Sequence, residues 1–193
     1  CPNTGEWDQR PPTSQYFTPE LRSALRKPLE KWPLDFAPAR VAVAAHVRRG
    51  DLPKGHWRSE SDEYYFKILE RIRATLPEAD VHLWSSTKNY LGEPHRTFWN
   101  STDFDGFRKR GVKVHLDDES LLVPWAHMAR AHVLIMSYSD FSVIPAFLNQ
   151  NCVILADPGR KLLDGWVHGE KVGRSTYAAE LEACFRRARA VAV

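Results

Sequence analysis

From residue 40 onward the chain alternates two textures. Short apolar runs rich in β-branched residues, at 41–47, 81–85, 112–116, 133–137 and 153–156, are separated by amphipathic segments. Runs without polar alternation suit strands buried on both faces of a parallel sheet. Between the first two runs, Tyr65, Ile68, Leu69, Ile72 and Leu76 recur at helical spacing, which predicts a helix over 62–76 with one buried stripe. Further helices are predicted over 119–131, with Pro124 near its start, and over 141–148. A last one carries Tyr177, Leu181, Cys184, Phe185 and Ala188 on one stripe. The polar stretch 88–110 predicts no firm element.

Ahead of this alternation, residues 1–17 hold Pro2, Gly5, Pro11 and Pro12 without periodicity and read as an irregular arm. Thr18 as cap, Pro19 in the first turn and Glu20 at the positive end of the dipole open a helix. Pro28 and Pro33 limit it to about three turns. The expected organisation is an N-terminal arm and helix over 1–39 and one domain over 40–193. That domain is α/β, a doubly wound, mostly parallel, Rossmann-like sheet of about five strands, with helices as the right-handed crossovers.

Composition narrows the field. The 193 residues are 43% apolar and 26% charged, as in ordinary globular domains. No apolar run approaches the ~20 residues of a membrane-spanning helix. A net charge of +3, from 27 basic and 24 acidic residues, argues against a nucleic-acid partner. Cys1, Cys152 and Cys184 are too few and too scattered for a zinc site or a disulfide framework, and the latter two read as small buried thiols. The histidines show no metal spacing, so no metal is expected. With Cys1 in first position and no signal-peptide pattern, the chain reads as a processed product or a fragment.

Candidate chemistry sits where strands end, because open α/β sheets bind ligands beyond their carboxyl edge. After the first run come His46, Arg48, Arg49, Gly50 and Asp51. Two guanidiniums there suit a diphosphate, Gly50 allows a sharp turn, and Asp51 can orient an arginine. After the fourth run come Ser137, Ser139, Asp140, Phe141 and Ser142, hydroxyls at the opening of a helix, where phosphates are often held. Solvated loop charges and plain helix capping are the structural alternatives for the two segments. If both serve one site, strands 41–47 and 133–137 are parallel and end at one edge. Arg48 then enters the crevice between them, and Asp51 lies within ion-pair reach of an arginine.

Taken together, in this order, the two segments resemble the donor-binding half of the GT-B fucosyltransferase superfamily, the α1,6- and protein-O-fucosyltransferase group. The resemblance covers roughly 40–168. It implies a nucleotide-sugar-binding domain that takes GDP-fucose as donor and a glycan or protein hydroxyl as acceptor, without a metal or other cofactor. Arg48 becomes the catalytic residue, contacting the diphosphate, while His46, Arg49, Asp51, Ser139, Phe141 and Ser142 bind the donor. Departures from the pattern are Pro124 and His132 in place of acidic residues and Asp140 in place of a serine; the acceptor half is missing or reduced to the arm. They motivate a second reading, a catalytically degenerate glycosyltransferase-like domain that serves as an accessory subunit and lays its arm on a protein partner. The first reading implies the Golgi or ER lumen, the second an organellar or complex-bound location.

Overall fold

The structure, a computed structural model, describes residues 18–89, 98–156, 163, 165–169 and 175–192. The arm at 1–17, Cys1 and His95 lie outside them.

Among the described residues six parallel strands form one sheet in the order β3-β2-β1-β4-β5-β6. They are β1 (Ala42–His46), β2 (Asp80–Ser85), β3 (Lys113–Leu116), β4 (Val133–Ile135), β5 (Cys152–Leu155) and β6 (Trp166–His168). The order runs outward from β1 in one direction and from β4 in the other, so the chain reverses its winding between these two neighbours. β1 pairs with β4 through Val43–Val133, Ala44–Leu134 and Ala45–Ile135, so both strands finish at one edge. The five expected strands are present. The sixth, β6, is three residues long and follows Gly165, too short for a hydrophobic run to reveal it.

Alternate residues of each strand supply two cores. Val43, Ala45, Val81, Leu83 and Ile154 pack with Tyr65, Ile68 and Ile72 of α2 (Asp62–Thr75) and with Leu181 and Phe185 of α6 (Ser175–Ala192). Between β2 and β3 lie a short 3₁₀ turn (Ser101–Phe104) and α3 (Asp105–Arg108), whose Phe104 and Phe107 join that core. On the other face Ala44, Trp84, Leu134 and Val153 meet α4 (Leu122–Arg130) and α5 (Val143–Leu148). The stripe predicted for 62–76 is thus the buried face of α2.

The first helix, α1 (Pro19–Glu30), starts as the sequence indicates, with the Thr18 hydroxyl accepting from the Leu21 N–H at 3.2 Å. It lies outside α4 and α5, where Leu29 is buried with Ala126, Ala129 and Leu148. His127 of α4 ties down the segment that follows α1: its Nδ1–H donates to the Val123 carbonyl, and its Nε2 accepts from the Asp35 N–H at 2.9 Å. Helix α4 begins three residues later than the pattern predicts. Its cap residue, Leu121, makes no side-chain cap bond; one position earlier the Ser120 hydroxyl accepts from the Leu122 N–H at 3.2 Å.

Cys152 and Cys184 are not free thiols. They form a disulfide between the first residue of β5 and the middle of α6, with Cα atoms 5.2 Å apart. Both positions are apolar-patterned and fully buried, as expected, but packing α6 across β5 brings them together over 32 residues of sequence. Closing a loop of this size stabilises a fold by about 2–4 kcal/mol. Thermal melts of the protein with and without a non-thiol reductant are expected to differ by roughly 10 °C, at ~2–4 °C per kcal/mol for a domain of this size. Equal midpoints after verified reduction would show that the bond contributes nothing.

Candidate functional site

A cleft of about 500 Å³ opens at the carboxyl edge of the sheet, walled by the segments that follow β1, β2, β3 and β4. That volume lies within the range of small-molecule sites. Each wall follows from local chemistry.

The segment after β1 turns at Gly50, whose φ of +66° favours glycine. A side chain is also excluded there, since a Cβ would stand 2.6 Å from the Lys88 carbonyl oxygen. The segment after β2 therefore rests directly on the first. It is held by Asp117, itself in the left-handed region at φ +59°. The Asp117 carboxylate accepts from the Ser86 hydroxyl at 2.7 Å, the Thr87 N–H at 2.9 Å and the Thr87 hydroxyl at 2.6 Å. Burial opposes that charge, but these bonds outweigh it and keep the carboxyl below its ordinary range. Three successive strand ends are thereby interlocked. Ser86, Lys88 and Ser120 line the cleft although sequence patterns did not single them out, and Asp117, a carboxylate directly after a predicted strand, lines it too.

Both arginines line the cleft, but their partners differ. Arg48 lines the cleft, its Nη2 pairing with Asp51 Oδ2 at 2.8 Å and its Nη1 reaching the Tyr138 carbonyl at 3.5 Å. Segments about 90 residues apart thus meet at the β1/β4 junction, as the parallel arrangement requires. Arg49 is buried at 5% exposure. Its Nη1 donates to the Arg48 carbonyl, the Ser59 hydroxyl at 2.7 Å and the Glu60 carbonyl at 2.9 Å, and its Nη2 pairs with Asp62 at 2.7 Å. Its guanidinium also lies 4.4 Å from the centre of the Trp99 ring. With its donors engaged inside the protein, Arg49 pins the β1–α2 connection, a structural part that the motif alone did not indicate.

His46 ends β1 beside Arg48. Its Nδ1 is 2.8 Å from the Ser137 hydroxyl, and its ring lies 4.8 Å from that of Phe141. Burial first, then the neighbouring Arg48 and Arg49 charges, pull the imidazole down to about 3, so it is neutral near pH 7. The unfolded chain takes up this proton near pH 6.5 and the folded one does not, so stability falls as the pH drops from about 6.5 toward about 3. Between pH 7 and pH 5 His46 is expected to account for about 2 kcal/mol of lost stability. Urea titrations at the two pH values should show that loss, reduced in His46→Asn; an identical loss in the variant would contradict it.

Ser139, Asp140 and Phe141 line the cleft, and the Ser139 hydroxyl accepts from the Phe141 N–H at 3.3 Å. Ser142 does not join them. It is fully buried and its hydroxyl donates to the Ser139 carbonyl at 3.2 Å, bracing the turn from within, because the 3₁₀ geometry points it inward.

Beside the cleft, Trp84 stacks on His115 at 4.7 Å and 8°, and His115 Nε2 lies 2.9 Å from His82 Nδ1. His82 Nε2 in turn meets Asp80 at 3.0 Å. Burial alone would raise the Asp80 carboxyl, but hydrogen bonds from Lys113, the Ala37 N–H and His82 outweigh it and hold it at about 2. Burial lowers both imidazoles. Among the described residues no group of three His, Cys, Asp or Glu side chains is arranged to hold a metal ion.

No protein-family model matches the chain, and a search of curated proteins returns no match. Among solved structures, POFUT1 in complex with GDP superposes with a TM-score of 0.36 at 13% identity, over 68% of this chain and 44% of that one. POFUT1 in complex with GDP-fucose gives 0.34 at 13% identity, over 66% and 41%. The chain spans less than half the length of either.

Proposed function

We propose that the cleft binds the diphosphate of a GDP-sugar and that the domain is the donor-binding part of a fucosyltransferase-like enzyme. The observation that carries this reading is Arg48. It stands where the winding of the sheet reverses, aimed by Asp51, with the residues after β4 on its far side. That junction is where doubly wound sheets take nucleotides. Neutral His46, with Nδ1 engaged by Ser137, offers its Nε2 to a ribose or base without repelling a cation or an anion. As the sugar C1–O bond breaks, its electron pair goes to the diphosphate oxygen, whose charge Arg48 offsets. The acceptor hydroxyl oxygen bonds to C1 and releases its proton. Ser139 and Phe141 border the phosphate end, Arg49 braces the cleft wall through its internal bonds, and Ser142 supports the turn from within. The Cys152–Cys184 disulfide suits an oxidising compartment such as the secretory lumen.

Asp140, exposed at the cleft where the resembled motif has a serine, favours the second reading, an accessory domain that no longer holds the donor. One measurement separates the two. Calorimetry of the folded chain with GDP and GDP-fucose is expected to show saturable binding. Absence of heat at millimolar nucleotide, with a native circular-dichroism spectrum, would leave the accessory role.

A further inference from the structure

Among the described large apolar side chains Trp57 is the most exposed, at 73%. It does not hang from a loose loop. The Ser59 N–H donates to the His56 carbonyl at 2.8 Å, the His56 N–H to the Pro53 carbonyl at 3.1 Å, and Arg49 grips Ser59 and Glu60 just beyond. An indole held in water by a fixed turn forgoes burial worth about 1.5–3 kcal/mol for a large apolar side chain. Exposed apolar groups of this kind mark ligand surfaces when they adjoin one another.

Trp57 adjoins other rings. His56 stacks near it at 5.8 Å, Tyr138 stands edge-on at 5.4 Å, and the Arg58 guanidinium lies 5.9 Å from the Trp57 ring centre and 5.6 Å from that of Tyr138. The group is continuous with the cleft in two ways. Arg58 lines the cleft, and the Tyr138 carbonyl receives Arg48. Trp57 and His56 stand outside it, on the rim.

We infer that His56, Trp57, Arg58 and Tyr138 form a platform for a pyranose ring of a carbohydrate acceptor, which rests on the reading of the cleft as the donor site. A pyranose presents a flat C–H face bordered by hydroxyls. Indole suits the face, while the guanidinium and imidazole N–H groups suit the rim. Trp57 and Tyr138 meet at 62° and so offer no parallel pair to sandwich a nucleobase. A donor sugar belongs inside the cleft, on the diphosphate that Arg48 holds, whereas a rim platform meets a molecule arriving from solvent.

The test uses the whole chain and saturation-transfer NMR with triacetylchitotriose, lactose and maltotriose as probes, alongside calorimetry with GDP. Expected is transfer to the ring protons of at least one sugar, weakened tenfold or more in Trp57→Ala and partly kept in Trp57→Tyr. GDP affinity should stay within twofold in both variants. Transfer from no sugar, or transfer that survives Trp57→Ala, overturns the platform even when GDP binds. A tenfold loss of GDP affinity in Trp57→Ala reassigns the indole to the nucleotide and overturns it too. So does a concentration-dependent dimer that Trp57→Ala dissolves, which would make a second copy the occupant. Sugar binding through Trp57 without GDP binding keeps the sugar platform but overturns the donor cleft, and with it the acceptor role of the sugar.

Discussion

Replacing Arg49 with alanine is expected to destabilise the fold by about 3 kcal/mol, the low end of what breaking a buried ion pair costs. The variant removes the donor that the Ser59 hydroxyl and the carbonyls of Arg48 and Glu60 share. It also removes the cation from the Trp99 ring. The low end applies because Asp62 keeps 39% of its side chain in solvent and can hydrate once its partner is gone. Arg49→Lys should recover only part of the loss, since an ammonium cannot reach four acceptors with a planar fork. Urea unfolding measures both. A loss below about 1 kcal/mol for Arg49→Ala would mean that the β1–α2 connection holds itself.

Arg48→Ala should do the reverse. Its guanidinium has one strong partner, Asp51, and a marginal contact at 3.5 Å with the Tyr138 carbonyl, on a side chain 15% exposed. Because Arg48 and Asp51 both face the open cleft, where water can replace the guanidinium at Asp51, losing the pair is expected to cost only about 1 kcal/mol. Its role in the proposed reaction is larger: losing a group that offsets charge on a leaving diphosphate costs about 10²–10³-fold in rate. The melting temperature is therefore expected to move by no more than ~4 °C, while GDP binding and any transfer from GDP-fucose collapse. A variant that binds GDP as well as the parent would remove Arg48 from the donor site. Measured side by side, the two alanine variants test whether Arg49 serves mainly the fold and Arg48 mainly the proposed donor site.

Nothing in the sequence distinguishes those neighbours. Arg48 and Arg49 share a type and a loop, and what separates them is the partners the fold brings up: Ser59, Glu60 and Asp62 around Arg49, Asp51 and the Tyr138 carbonyl around Arg48. What the sequence did reveal was local. Continuous apolar runs marked β1 to β5, and helical spacing marked the buried stripe of α2 down to Tyr65, Ile68 and Ile72. Thr18 and Pro19 placed the start of α1 to the residue. The meeting of Arg48 with the residues after β4 was also legible, because two parallel strands in a doubly wound sheet must end at the same edge. Features that depend on distant partners were not. The Cys152–Cys184 bond joins a strand to a helix two elements later. Asp117 directly follows a predicted strand and clamps a segment 30 residues upstream. β6 draws its place from pairing with β5 rather than from any run of its own.

The same disulfide has a topological consequence. β6 is the outer strand of the sheet on that side, and it lies within the covalent ring closed between β5 and α6. A protease that cuts any peptide bond between residues 152 and 184 leaves one molecule in two pieces, still joined through sulfur. On a gel such a nicked chain should migrate as a single band without reductant and as two with it. The carboxyl-terminal fragment, with α6, should stay docked on the sheet until the bond is reduced.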